Sequence, residues 1–324
     1  MSLVDVIIPV YKPEKEFAIL IKRLQGQSLC PGKIIMINTD REEWEKRGMD
    51  ALLQDALPKG PEMVLRHIEK KDFDHGAARN LGASLSDAKY FVCMTQDAIP
   101  CDRELLRFLL RGMDERVKLT YARQIPKRDA GLIESFTRSF NYPEQSLIKS
   151  LGDQEKMGIK IFFASNVCAA YEREAFDALG GFPEGNLLNE DMLYAGELLF
   201  HHYFIKYEAW AKVYHSHQYS GWQQFRRNFD IGASQVMNPH VFGRVNSQSE
   251  GIRLVKETAG FLHRQRAYLH FFPLLYLSGC KYLGHKLGRS YQRLPLWLTK
   301  KLSMDRKYWE KDHVPGEGSG KMRP

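Results

Sequence analysis

Residues 90–102 run Tyr90-Phe91-Val92-Cys93-Met94-Thr95-Gln96-Asp97-Ala98-Ile99-Pro100-Cys101-Asp102, and the reading of the whole chain turns on them. From Tyr90 to Met94 five apolar or β-favouring side chains follow one another without a polar break, as in a strand buried on both faces of a parallel sheet. The run stops at a polar turn that carries Asp97. Ligands of open α/β sheets bind beyond the carboxyl ends of the strands, so an acid placed there faces a crevice rather than the core. Taken alone, Asp97 reads first as a turn or helix-cap acid, and the rest of the chain has to decide.

Upstream, Val4 to Val10 reads as a central strand ending at Pro9, then a Tyr11-Lys12-Pro13 turn and a helix from about Glu14 to Gln27 with Phe17, Leu20, Ile21 and Leu24 on one face. Lys33 to Asn38 is a second strand closing on Thr39-Asp40, and a charged amphipathic helix is predicted from Arg41 to Leu57. Glu62 to Ile68 is a third strand, leading to a helix from His75 to Leu85. With the strand before Asp97 this makes four strands joined by helical crossovers, which implies a right-handed, parallel, Rossmann-like sheet. No Gly-x-Gly-x-x-Gly follows the first strand and no Gly-x-x-x-x-Gly-Lys-Ser/Thr occurs, so a dinucleotide cofactor and a phosphate-binding P-loop are both poorly supported. Asp40 and Asp97, at the ends of two strands, leave room for a nucleotide held by side chains. In His75-Gly76-Ala77-Ala78-Arg79 small residues at a helix start and an arginine one turn on suit a diphosphate, though a surface arginine beside a loop hinge fits the same pattern.

Downstream, Leu119 to Gly158 is irregular in pattern and is expected to be a long loop serving as a lid or acceptor surface. Ile161 to Ala170 resumes as a strand carrying Ser165-Asn166. Glu174 to Leu179 is a short helix stopped by Gly180-Gly181, and Asn189 is expected to cap a further helix whose first turn is Glu190-Asp191. Helix electrostatics alone would favour acids there, and so would catalysis by a carboxylate. Ala211 to Tyr214 is the last strand, ending in His215-Ser216-His217. Two histidines at i, i+2 point the same way, as metal ligands do and as ordinary polar pairs also do.

The net charge of +8 is unevenly spread: residues 251–324 hold 15 Lys/Arg against 5 Asp/Glu, leaving 32 against 34 before them. There, Leu262, Tyr268, Phe271, Phe272, Leu274, Leu275, Tyr276 and Tyr282 alternate with Arg264, Arg266, Lys281, Lys286, Arg289 and Arg293. Aromatics interleaved with bases describe an interfacial anchor on an anionic membrane better than a nucleic-acid stripe, and no nucleic acid is expected as a partner. The most apolar stretch, Ala267 to Gly284, is interrupted by His270, Pro273 and Lys281, too much for a membrane span. Val314 to Pro324 reads as a frayed end. Five cysteines without Cys-x-x-Cys spacing, and a strand pattern from the first residues, predict a reduced, cytoplasmic compartment.

Several motifs together carry a family resemblance: Val6-Ile7-Ile8-Pro9-Val10-Tyr11, Asp74-His75-Gly76 with Arg79-Asn80-Leu81-Gly82, Thr95-Gln96-Asp97-Ala98, Gly180-Gly181-Phe182, Asn189-Glu190-Asp191 and Val213-Tyr214-His215-Ser216-His217. In this order they resemble an inverting family 2 glycosyltransferase of the GT-A fold, in its rhamnosyltransferase-like branch. The resemblance implies an α/β fold, a GT-A Rossmann-like mostly parallel sheet with flanking helices, followed by a C-terminal amphipathic helical segment. It implies a catalytic domain over 1–235, with a nucleotide-sugar half (about 1–102) and an acceptor half (about 103–235), and a basic, membrane-associating tail over 236–324. The implied partners are a nucleotide-diphospho-sugar donor, a saccharide or lipid-linked acceptor and an anionic membrane surface. The implied place is the inner face of the plasma membrane.

The implied activity is transfer of one sugar, rhamnose from dTDP-rhamnose, onto a lipid-linked or growing cell-surface polysaccharide. UDP- or GDP-sugars are the alternative donors, and a sugar-phosphate nucleotidyltransferase is a further alternative that lacks its Gly-rich loop and activating lysine here. Asp97 looks like the ligand of a Mg²⁺ or Mn²⁺ ion bridging to the diphosphate, with His215 or His217 completing the coordination. Arg79 adds charge there, Asp191 resembles the general base, and Glu190 orients its neighbours. Pro9, Tyr11, Asn38, Asp40, His75, Thr95 and Gln96 fall on the donor side, and Asn166 on the acceptor side. Two positions depart from the family: Asn38 stands where an acid is usual, and Thr95 replaces the first acid of Asp-x-Asp. Gln223-Gln224-Phe225-Arg226-Arg227 is similar to the Gln-Gln-x-Arg-Trp of processive synthases, but without its Trp and without membrane spans, which implies single-sugar addition.

Overall fold

A computed structural model describes residues 2–54, 60–245 and 248–310. The chain opens as β1 (Val4–Tyr11), α1 (Lys15–Gln25), β2 (Lys33–Thr39), α2 (Arg41–Lys46), α3 (Met49–Gln54), β3 (Glu62–Ile68), α4 (His75–Ser84) and β4 (Tyr90–Met94). It continues as β5 (Ile99–Pro100), α5 (Leu105–Leu110), β6 (Val117–Ile125), α6 (Leu132–Asn141), β7 (Leu147–Lys149), α7 (Gln154–Met157), β8 (Cys168–Glu172), α8 (Arg173–Ala178), α9 (Glu190–Phe200) and β9 (Phe204–Tyr214). Helices α10 (Gly221–Met237), α11 (Pro239–Phe242), α12 (Gln248–Arg264), α13 (Phe271–Gly288) and α14 (Leu296–Leu302) follow.

The strands form one mixed sheet in the order β3-β2-β1-β4-β8-β6-β9-β5, with β7 paired to β9. Its first four strands are parallel, as the crossover pattern predicts, and β8 runs antiparallel to β4. On one face of this sheet a core of Val6, Ile8, Val10, Ile34, Met36, Val92 and Met94 is closed by Phe17, Leu20, Ile21 and Leu24 of α1 and by Leu105, Leu106 and Leu109 of α5. On the other face α4 lies close to β1: a Cβ on Gly82 would come 2.3 Å from Ile7 Cγ2, so only glycine lets this helix approach.

Several expectations are corrected. The helix expected from Arg41 to Leu57 is two helices, broken where Gly48 takes φ +60°, and its last three residues lie outside the described residues. The region from Leu119 to Gly158 is not one loop, because it contains most of β6 together with α6, β7 and α7. The strand expected over Ile161 to Ala170 begins only at Cys168; a single 3-10 turn covers Gly158–Phe162, and Ser165-Asn166 lie in a loop. The expected frayed end at Val314 to Pro324 falls outside the described residues.

The chain separates into two compact units. The first comprises residues 1–186, 190–218 and 245–254, and holds the whole sheet. The second comprises 187–189, 219–244 and 255–324, and its described elements are helical. In this second unit α10 and α13 pack backbone to backbone: added Cβ atoms on Gly284 and Gly288 would lie 2.2 and 2.0 Å from the Phe225 and Phe229 carbonyl oxygens. Among the described residues no helix is long and apolar enough to cross a membrane.

Candidate active site

Three groups of side chains gather at the carboxyl ends of the parallel strands, all in the first unit. The first group is built by strand pairing. Asp97 lies in the turn after β4, and the short β5 that follows pairs antiparallel with the end of β9, Ile99 opposite Tyr214 and Pro100 opposite Val213. This stitching brings the residues just after β9 beside Asp97. Its Oδ2 lies 3.5 Å from His215 Nε2 and 3.4 Å from His217 Nε2, and the two imidazoles stand nearly perpendicular at 4.5 Å. Burial pushes the Asp97 carboxyl up, but the hydrogen bond from His215 and the charges of both histidines outweigh it and hold the group well below the usual carboxylate range. The three side chains offer ligand atoms within 4.8 Å of one another. One carboxylate and two imidazoles are a donor set that a divalent cation can use, so the residues fit the metal that the resemblance implies.

The second group lines an open pocket of about 190 Å³ formed by Pro9, Val10, Tyr11, Phe73, His75, Arg79, Thr95 and Gln96. The Asp74 carboxylate caps α4 by accepting from the Ala77 N–H at 2.8 Å, which turns the start of that helix toward the pocket. Arg79 is buried, donates to the His75 carbonyl at 2.9 Å, and pairs with Glu190 at 3.0 Å, while its Nε has no partner among the described residues. Gln96 does not present a free amide to the pocket. Its Oε1 accepts from the Tyr11 N–H at 2.8 Å and its Nε2 donates to the Tyr11 carbonyl at 2.9 Å, which locks the end of β1 to the β4 turn. Asn38 is likewise held by neighbouring groups. It is 0% exposed, and its amide serves the Asp40 carbonyl at 3.1 Å and His67 at 2.8 Å. Asp40, at φ +79°, caps α2 by accepting from Glu43 N–H at 3.3 Å.

The third group is the acidic pair opening α9. Asn166 holds both acids: its N–H donates to Asp191 Oδ2 at 3.0 Å, its side-chain amide to Glu190 Oε1 at 3.2 Å, and its Oδ1 accepts from the Tyr171 hydroxyl at 2.7 Å. The two acids are driven apart electrostatically. Burial pushes both up, but in Glu190 the Arg79 guanidinium, His75 and the hydrogen bonds it accepts together outweigh it and the net shift is downward. In Asp191 burial is reinforced by the Glu190 charge, and the group is pushed up to about 7. Asn189, just before α9, sits at φ +71° and donates its amide to Ser234 Oγ at 3.1 Å.

Gln124, Arg138, Tyr142 and Ser165 escape the sequence reading. They form a buried network whose amide hub, Gln124, reaches His215 Nδ1 at 2.9 Å and Ser165 Oγ at 3.0 Å. The only signal for them is a polar residue late in β6.

Comparison with known proteins settles the family, because the model of glycosyl transferase family 2 matches residues 5–180. The chain belongs to glycosyl transferase family 2. Across 94% of its length it is 34% identical to the O-antigen chain rhamnosyltransferase RfbN of Salmonella typhimurium, of which it covers 96%. It is 40% identical to the O-antigen chain rhamnosyltransferase WbaN of Salmonella anatum over 75% of this chain and 78% of that protein. Among solved structures, the mannosyltransferase PcManGT from Pyrobaculum calidifontis, in complex with GDP-Man and Mn²⁺, superposes with a TM-score of 0.57 at 12% identity, covering 90% of this chain and 88% of that one. TarS of S. aureus with UDP-GlcNAc gives 0.51 at 14%, covering 90% and 92%. At these identities the structural likeness is one of fold, and the fold is that of GT-A glycosyltransferases. This family 2 glycosyltransferase therefore carries its pocket, its acid pair and its Asp–His–His cluster on a known enzyme scaffold.

Proposed function

We propose that this glycosyltransferase moves rhamnose from a nucleotide-diphospho-rhamnose, dTDP-rhamnose first among the candidates, onto a lipid-linked or growing cell-surface polysaccharide, with inversion at the anomeric carbon. The observation that carries the reading is that two O-antigen chain rhamnosyltransferases are 34% and 40% identical to this chain over most of its length.

Inversion requires the acceptor oxygen to approach the anomeric carbon opposite the departing diphosphate, so the site must serve two ends of one line. At the leaving end, Asp97, His215 and His217 would hold the divalent cation, which when bound neutralises charge on the diphosphate. Two imidazoles beside one carboxylate favour Mn²⁺ over Mg²⁺, since Mg²⁺ prefers an all-oxygen shell. The charge of Arg79 and the start of α4, both on the pocket wall, would favour the diphosphate there. At the other end Asp191 takes the proton of the acceptor hydroxyl, and a carboxyl raised to about 7 is more basic than an ordinary one while about half of it is ionised at neutral pH. Glu190, bound to Arg79 and Asn166, keeps the pair in register. Gln96 acts through the Tyr11 backbone, and Asn38 through the loop at Asp40. Residues 1–218 would thus supply the chemistry, and the basic helical unit would seat the enzyme on the anionic inner face of the membrane where a lipid-linked acceptor resides.

The test is thermal-shift binding against dTDP-, UDP- and GDP-sugars with Mn²⁺ or Mg²⁺, followed by analysis of the transferred sugar. Stabilisation by dTDP-rhamnose and a rhamnosylated product are expected. Stabilisation by UDP- or GDP-sugars alone would overturn the donor assignment.

A further inference from the structure

The Gln124 side chain is 3% exposed, and all of its hydrogen-bonding capacity is used. Its Nε2 donates to the Tyr142 hydroxyl and to Ser165 Oγ, and its Oε1 receives Arg138 Nη1 and faces His215 Nδ1 at 2.9 Å. The amide cannot be flipped. A guanidinium only donates, so the amide atom it meets must be the oxygen. The same oxygen then requires a hydrogen on His215 Nδ1, because two acceptors would otherwise face each other. With one hydrogen held on Nδ1, the proton that the charged ring turns toward Asp97 sits on Nε2, and its loss leaves the neutral ring with its lone pair there, 3.5 Å from Asp97 Oδ2. A lone pair aimed at a carboxylate oxygen is relieved by a cation between them.

We propose that Gln124, oriented by Arg138, is a positioning residue of the transfer site: it fixes His215 as the Nδ1–H tautomer and turns a bare Nε2 toward the cation site at Asp97. Metal-binding histidines elsewhere are prepared in this way, by an acceptor on the ring nitrogen that does not ligate. Here the acceptor also reaches the other end of the site. Ser165 precedes Asn166, whose N–H holds Asp191, so one buried amide braces both the cation side and the base side. The consequence for the metal rests on the cation site read above; the tautomer does not.

The experiment is long-range ¹H–¹⁵N NMR of the metal-free, histidine-labelled protein at about pH 8.5, above the ordinary imidazole range, with His215 assigned by its loss in His215→Ala. Nδ1–H is expected, and Nε2–H would overturn the assignment whatever the metal does. Mn²⁺ binding to the same protein, read by electron paramagnetic resonance, tests the cation reading separately, since a wild type that shows Nδ1–H yet binds no Mn²⁺ removes the metal and leaves the tautomer. Gln124→Met, which keeps the volume and removes the acceptor, should weaken Mn²⁺ about 10- to 100-fold, and Gln124→Glu, which keeps an oxygen facing both Arg138 and His215, should recover most of it. Equal Mn²⁺ affinity in wild type and Gln124→Met would overturn the positioning role. Arg138→Met, on a half-buried helix, is the second variant: it should leave His215 in mixed tautomers, and an unchanged Nδ1–H signal would take the orienting role away from Arg138.

Discussion

At the scale of single residues the site depends on environments that separate like groups. Asp191 and Glu190 are adjacent carboxylates, yet Arg79 stabilises the charge on Glu190 while burial beside that charge raises Asp191. In the proposed role as base, only the ionised Asp191 takes the acceptor proton. The rate should therefore fall as pH drops below about 7, by about tenfold per pH unit in the acid limb, as a pH–rate profile of kcat/KM would read. Stability carries the opposite sign. The folded carboxyl lies above its ordinary value of 3.8, so the stability it contributes is present at low pH and lost as pH rises through about 7. Asp191→Asn should lower turnover by about a hundredfold or more, leave donor affinity nearly unchanged, and leave the melting temperature at neutral pH no lower than wild type because the buried charge is gone. Turnover close to wild type would remove Asp191 from the mechanism and make Glu190 the next carboxylate to examine. Asp97→Asn should act at the other end, abolishing metal-linked donor binding in a folded protein; donor titrations with and without Mn²⁺ that match the wild type would free Asp97 from the cation role.

At the scale of elements, legibility followed the apolar runs. β4 is recovered from Tyr90 to Met94 as it stands, because nothing polar interrupts it. β6 stayed hidden because Lys118, Thr120, Arg123 and Gln124 break the pattern, and two of them, Thr120 and Gln124, are buried polar residues. Its pairing with β9 also shifts register twice. The hub at Gln124 lies 91 residues from its histidine partner, and no local spacing can announce such a contact. Asp97, Asp191, His215 and His217 were legible because each stands where an element begins or ends. Glycines test the packing of these elements directly. Gly82 on α4 meets Ile7 of β1, so Gly82→Ala should be destabilising, overpacking at about 1–3 kcal/mol exceeding the helix-propensity gain of about 1 kcal/mol. Gly279 in α13 has nothing within 4 Å of an added Cβ, so Gly279→Ala should raise the melting temperature. Two thermal melts decide the contrast, and a stabilised Gly82→Ala would contradict the close approach of α4 to the sheet.

At the scale of the whole molecule, the uneven charge and the helical unit bear on where the enzyme works. α13 buries Leu274, Gly284 and Gly288, the two glycines against α10, and leaves the opposite face uncovered. That face carries Phe272 at 79% exposure and Leu275 at 66%, with Tyr282 and Leu283 also exposed. A stripe of this length in water costs free energy unless something covers it, and on the proposed function an anionic bilayer would be the cover, with Lys286, Arg289, Lys300 and Lys301 on α13, just beyond it and on α14 as its charge partners. Each base near an anionic leaflet contributes roughly 1 kcal/mol, and immersed aromatic and leucine side chains add apolar transfer energy. The full-length protein should sediment with vesicles containing anionic lipid and remain free of purely zwitterionic ones. Added salt should loosen the attachment by screening the bases. Replacing Phe272 and Leu275, both largely exposed, together by serine should weaken binding roughly tenfold or more while leaving transfer to a water-soluble acceptor intact. Equal sedimentation of that double variant would assign the attachment to charge alone. Absence of wild-type binding to any vesicle would remove the membrane from the reading and leave this face to another partner.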